Sequence, residues 1–283
     1  MIDLTRTTSL PICMVAILTL VSMTKSHGQE SIELIADLDS NLSAMEQIKK
    51  AFGKGSVECP EIYSSNHQGV EHLKVEKDKE FGSCFRFLLH RDLDGDRDRQ
   101  QLPGEERQRN EIKGYAGSPP VMKAVHGDSV EYTWLLKIRS NFSVNKTFCH
   151  FFQLKPVGTN DEYPIATLSG AITNGNPQLE FRTFGEKEKR YRIADWRDCI
   201  NKWLICRCQV EYSERGKVFF SVKSTDGSID SSHLIERFPS WKNGFSFVRP
   251  KWGIYRSLVD KKSIVNEEDS IFLNRIKVQK QSL

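Results

Sequence analysis

Three short stretches bring together side chains able to hold an anion and move a proton. An extended chain sends alternate side chains to one face. Arg107-Gln-Arg-Asn-Glu-Ile-Lys113 therefore presents Arg107, Arg109, Glu111 and Lys113 together, with Gln108, Asn110 and Ile112 turned away. Three cations around one carboxylate form an anion-binding surface. In Phe148-Cys-His-Phe-Phe-Gln-Leu-Lys155, strict alternation puts Phe148, His150, Phe152 and Leu154 on an apolar side, which predicts His150 as a core histidine. Cys149, Phe151, Gln153 and Lys155 take the other side, leaving Gln153 and Lys155 available. In Pro250-Lys-Trp-Gly-Ile-Tyr-Arg256, Lys251, Gly253 and Tyr255 share a face. A glycine between two polar residues lets a ligand approach the backbone, and Tyr255 stands beside that opening.

Each feature has an ordinary structural explanation. A tyrosine closing Trp-Gly-Ile-Tyr is commonly half-buried packing, and a charge run is commonly a solvated face. His90 ends an apolar strand near the basic segment and is a candidate to line the cleft, whereas His126, before Gly127-Asp128, reads as a turn residue. Asp92-Leu-Asp-Gly-Asp-Arg-Asp98 alternates oxygen donors of the type calcium prefers, but Gly95 is misplaced for an EF-hand and no later Glu completes one. Arg91, Arg97 and Arg99 can neutralise the same carboxylates, so the metal content of this loop stays open.

The elements that must position these residues follow from the rest of the chain. Of 283 residues, 38% are hydrophobic and 28% charged, which excludes wholesale disorder; a net charge of +4 does not by itself call for nucleic acid. The apolar run Ile12–Met23, preceded by Arg6 and followed by small residues, predicts a cleaved secretion signal over 1–28. An uncleaved anchor is the competing reading, disfavoured because the run is shorter than the roughly 20 residues of a span. Export leaves six cysteines after Cys13 is lost. The even count favours disulfides, with free core thiols as the alternative. Cys206-Arg-Cys208 has the wrong gap for a zinc thiolate pair. Acceptor patterns for glycans occur at Asn41, Asn141 and Asn145. Leu34, Leu38, Leu42, Met45, Ile48 and Phe52 recur at helical spacing, predicting a short N-terminal helix within a segment 29–58. From 59 to 283 the texture is that of an all-β protein: about eleven short strands broken by Gly, Pro, Asn and Asp turns, suited to a two-sheet β-jelly roll.

With that order of elements, the three polar stretches resemble the glucuronan lyases, polysaccharide lyase family 20, within the concanavalin-like jelly-roll lyases. Glu106–Lys113, Phe148–Lys155 and Arg249–Ser257 are similar to the family's basic, Gln-Leu-Lys and Lys-Trp-Gly-Ile-Tyr strands, and Tyr132-Thr-Trp134 and Pro164–Leu168 fall in the expected order. The likeness covers about residues 60 to 280. More distant alginate lyases look similar in alternation, placing Arg109, Glu111, Lys113, Gln153, Lys251 and Tyr255 on the concave sheet. Lys155 stands where they carry His, which argues against alginate.

The resemblance implies a secreted, monomeric polysaccharide lyase acting on an anionic, glucuronan-like polymer by β-elimination, with no partnership with nucleic acid and no stable membrane association. Tyr255 would be base and acid, and Gln153 and Arg109 would stabilise the sugar carboxylate, with nearby cations holding the phenol in a form able to act as base. Glu111, Lys113, Lys155, Lys251, Arg256 and His90 would contact substrate. No cofactor is required for that chemistry, although some jelly-roll lyases carry a structural calcium. A lectin-like module that binds without turnover is the rival. A glycoside hydrolase is disfavoured because hydrolysis wants two carboxyl groups about 5–10 Å apart and the polar strands offer only Glu111.

Overall fold

Alternation is what builds the protein. Along Trp203–Glu211, Leu204, Cys206, Cys208 and Val210 are buried, while Ile205, Arg207 and Glu211 face solvent. The computed structural model describes residues 29–63, 67, 69–96, 106–140, 142–159 and 161–281. The expected signal at 1–28, Cys13, Asp98 and the acceptor Asn141 lie outside them.

The chain runs β1 (Gln29–Leu34), α1 (Ala44–Phe52), β2 (Val57–Glu58), β3 (Leu73–Asp78), β4 (Gly82–His90), β5 (Arg107–Lys113), β6 (Ser129–Ile138), β7 (Cys149–Gly158), β8 (Ala166–Thr173), β9 (Asn176–Phe184) and β10 (Glu188–Asp195). It continues through α2 (Trp196–Cys199), β11 (Trp203–Glu211), β12 (Gly216–Ser224), β13 (Asp230–Phe238), β14 (Phe245–Ser257) and β15 (Glu268–Gln281). One antiparallel sheet has the order β13-β12-β11-β6-β15-β4-β3, with β1 on β15; the other has the order β10-β9-β8-β7-β14-β5-β2. This is the two-sheet jelly-roll sandwich that the sequence implies.

Aromatic rings from both inner faces fill the space between the sheets. Trp134 of β6 stacks on Phe152 of β7 at 4.4 Å between centroids, and Phe220 of β12 stacks on Phe181 of β9 at 4.1 Å. Each such pair contributes about 0.5–1.5 kcal/mol beyond its buried area. α1 closes one side of the core by laying Phe52 against Trp252, with ring centroids 6.3 Å apart. Its start is fixed by a capping box in which Ser43 accepts from the Glu46 amide and Glu46 accepts from the Ser43 amide.

The N-terminal segment differs from its helical expectation. Only Ala44–Phe52 is helix, and residues 29–34 pair with β15 from Gln281 to Ile276. Leu34 is buried against that sheet while Leu38 is exposed, so the apparent helical spacing spans two unlike elements. β2 pairs with β5, joining this segment to the same sandwich.

The six described cysteines are all free and buried, which replaces the disulfide expectation. Cys206 and Cys208 sit on the core face of β11 as small apolar residues. Burial pushes the thiols of Cys84, Cys149 and Cys199 up to about 12. Asn145 is also buried, donating to the Ser257 carbonyl at 2.6 Å, so its glycan pattern is occupied by a structural role; Asn41 is exposed.

Candidate functional site

β14 lies between β5 and β7, and register decides which side chains meet. Lys251, Gly253, Tyr255 and Ser257 stand opposite Lys113, Glu111, Arg109 and Arg107, so the polar faces expected for these strands coincide on the outer side of their sheet. Trp252, Ile254 and Arg256 oppose Ile112, Asn110 and Gln108 on the inner side. On β7, Gln153 stands opposite Lys251 and His150 opposite Tyr255.

That last pairing overturns the core assignment of His150. β7 carries an extra residue between His150 and Phe152 relative to β8, and the bulge reverses alternation there. Phe151 turns inward against Phe142 and Trp196, while His150 joins the polar face, 2.8 Å from Ser169 Oγ through its Nδ1. Its ring stacks on Phe148 at 4.7 Å and lies 6.1 Å from that of Tyr255. Burial, with Arg182 and Lys251 adding repulsion, holds His150 well below its usual pKa and therefore neutral.

Tyr255 is half-buried under a cationic cover. The Arg109 guanidinium lies 4.2 Å over its ring, Lys251 Nζ is 5.6 Å from the ring centroid, and Arg107 Nη1 donates to the phenol oxygen at 3.1 Å. Burial pushes the phenol above its usual pKa and outweighs the opposing pull of Arg109 and Arg107. The neighbouring cations thus ease its deprotonation as expected, but not by enough to offset burial.

A compact charge network forms the floor beside it. Glu58, from β2, meets Arg109 Nη1 at 2.9 Å, Lys113 Nζ at 2.8 Å and Lys251 Nζ at 3.0 Å. Glu111 meets Lys251 Nζ at 2.5 Å and Arg109 Nε at 3.5 Å, and accepts from Gln153 Nε2 at 2.5 Å. Asp96 takes Arg109 Nη2 at 2.9 Å. Burial pushes the Glu58 carboxyl upward, but Lys251, Arg109 and Lys113 overcome that and hold it far below the usual carboxylate range. Three cations and three carboxylates cancel, so the expected basic surface is largely neutralised from within. The sequence reading missed Glu58 and Asp96 because each is an isolated acid remote from the basic strand, with no local spacing to betray it.

The remaining candidates separate. Arg256, expected at the substrate, is fully buried on the inner face, paired with Asp269 and donating to Gln108 Oε1 at 2.8 Å. The residue after Tyr255 must face the opposite way. His90 gathers with His67, His72 and Asp94 away from this network. Lys155 shares the outer face but donates to the carbonyls of Asp161 and Glu162; burial lowers it to about 8. Gly253 has φ +140°, and a Cβ there would lie 2.2 Å from the Asn110 carbonyl oxygen, so this glycine admits the neighbouring strand and not a ligand. His126, 2.9 Å from Glu214, is exposed in a turn as expected.

The described aspartates after β4 do not converge on one point. Asp92 pairs with Arg91 and Lys261, Asp94 turns to the histidines and Asp96 to Arg109, so the described carboxylates diverge.

The sandwich has counterparts in solved structures. An endo-β-1,4-glucuronan lyase from Trichoderma reesei superposes with a TM-score of 0.52 at 12% identity, covering 89% of this chain and 94% of its own. The PL-14 alginate lyase of Aplysia kurodai gives 0.53 at 11% identity, covering 87% and 97%. An alginate lyase from Klebsiella pneumoniae gives 0.52 at 10%, covering 89% and 94%. The fold is that of the jelly-roll polysaccharide lyases. No protein-family model and no curated protein sequence matches the chain.

Proposed function

We propose that the protein is an exported, monomeric polysaccharide lyase that cleaves a glucuronate-rich polymer by β-elimination. The observation that carries the reading is the meeting of phenol, amide and guanidinium on one sheet face: Arg109 lies over Tyr255, and Gln153 reaches the same Glu111 that faces Arg109.

In β-elimination the C5 proton leaves, the C4–O bond breaks and an unsaturated sugar remains. The neighbouring carboxylate opposes proton loss, because negative charge builds on a group already negative, and fixed donors must offset it. Gln153 and Arg109 serve as those donors, while Arg107 donates to the phenol oxygen at 3.1 Å. On a glucuronate ring C5–H and C4–O lie on the same side, so Tyr255 alone takes the proton and returns it to the leaving oxygen. Neutral His150 lies beside it, its ring 6.1 Å from that of Tyr255 and its Nδ1 2.8 Å from Ser169 Oγ.

A second reading, a binding module without turnover, draws support from the engagement of Gln153 and Arg109 by the protein's own carboxylates. Incubation with glucuronan and a panel of other uronic acid polymers, read by ultraviolet absorbance of the new double bond and product mass spectrometry, separates the two. Appearance of unsaturated oligosaccharides supports the lyase. Binding with no absorbance change supports the module.

A further inference from the structure

At one end of the other sheet, three imidazoles and a carboxylate converge. His72 immediately precedes β3, His90 ends β4, Asp94 lies in the turn that follows, and His67 comes from the preceding loop. One ligand atom from each lies within 4.8 Å of all the others. Asp94 Oδ1 is 2.9 Å from His72 Nε2 and 3.4 Å from His67 Nδ1, and its Oδ2 is 3.1 Å from His90 Nδ1. The rings stand nearly edge to face, with centroids 4.8–5.5 Å apart, so that they surround a point and do not stack.

We propose that His67, His72, His90 and Asp94 form a structural site for a zinc-like divalent transition ion. Imidazole nitrogens with one carboxylate are a zinc donor set, and tetrahedral bonds of about 2.0–2.1 Å separate neighbouring ligand atoms by about 3.3 Å, close to the spacings around Asp94. Hard cations prefer an all-oxygen shell, which this cluster lacks.

Two further observations point to a ligand. Among the described residues, His67 Nδ1, both ring nitrogens of His72 and Asp94 Oδ1 are buried and make no hydrogen bond of proper geometry, although His72 is wholly inside the protein. The outward nitrogens also face carboxylates: His72 Nδ1 lies 3.2 Å from Glu61 Oε2 and His90 Nε2 lies 3.7 Å from Glu268 Oε2. A carboxylate behind a ligating histidine fixes its tautomer and raises its basicity.

Four protein donors leave no open position, so the role is structural. The turn that the ion would fasten is tied to β5, where Gln108 Nε2 donates to the carbonyls of His90, Arg91 and Asp94 at 2.6–2.9 Å. Two residues beyond Asp94, Asp96 holds Arg109.

The test is independent of lyase activity. The full chain, stripped with chelator, is titrated with zinc against a chromophoric competitor and separately with cobalt(II). The site predicts one equivalent of zinc and the visible absorption of tetrahedral cobalt. His67→Ala, at a partly exposed position, and Asp94→Asn are expected to weaken zinc binding by about tenfold or more, while His126→Ala leaves it unchanged. Circular dichroism checks that each variant is folded. If a variant does not fold, the cobalt spectrum of the unaltered protein decides. A folded protein that takes up neither ion overturns the proposal, as does preference for calcium or binding indifferent to the folded variants. The cluster would then be a histidinium on His72 held between Asp94 and Glu61.

Discussion

A single methyl group at Gly253 tests the account most simply at the level of residues. The added Cβ would meet the Asn110 carbonyl at 2.2 Å in a backbone region disfavoured for L side chains. Gly253→Ala should therefore cost about 1–3 kcal/mol or more, visible as a lowered melting temperature; unchanged stability would mean that β14 and β5 lie farther apart. Asp269→Asn belongs beside it, since it strands a fully buried Arg256. Removing one partner of such a pair costs about 3–5 kcal/mol, and a calorimetric scan should register it. Tyr255 gives a pH prediction. Its pKa is raised, chiefly by burial, so the phenol stays protonated at neutral pH and turnover should climb through the alkaline range until the protein itself fails. A rate already flat near neutrality would point to another base.

Elements decided how much could be read in advance. On β5 and β14 the register is unbroken from Lys251 opposite Lys113 to Ser257 opposite Arg107, so plain alternation found Arg109, Glu111, Lys251 and Tyr255. On β7 the same rule succeeded for Gln153 and failed for His150, because one extra residue at Phe151 puts the residues before it out of step with those after it. Nothing in Phe148-Cys-His-Phe-Phe-Gln announces that bulge; it is specified by how the neighbouring strands fit. The N-terminal stretch failed differently, Leu34 belonging to β1 and Leu38 and Leu42 to the approach to α1. The bulge makes a functional prediction. His150→Leu should lower turnover by more than its loss of stability explains, the variant staying folded at the assay temperature, because the buried ring packs on Phe148 and lies beside Tyr255. A leucine that leaves activity intact would argue that His150 has no part in the reaction.

At the scale of the whole molecule, the sandwich brings together groups that no local stretch contains. Glu58 reaches Arg109, Lys113 and Lys251 only because β2 pairs with β5 and β5 with β14. Fold class was legible in the strand texture, whereas this long-range neutralisation was not. Glu58 has a depressed pKa in the folded state, so its contribution is complete above the unfolded carboxylate value of about 4.3 and declines as pH falls below it. Acid unfolding should accordingly shift to higher pH in Glu58→Gln, and that variant should lose stability at neutral pH. Equal acid midpoints would contradict the network. Because the floor is neutral, its attraction for a polyanion should be modest, and any binding should weaken further with added salt.

The central claim is that one phenol on this sheet face moves the proton. The direct measurement compares the protein with Tyr255→Phe, following double-bond absorbance on glucuronan and polymer binding by calorimetry. The account predicts retained binding and turnover reduced by about 10²–10⁴-fold. Undiminished turnover in a folded Tyr255→Phe protein would contradict it.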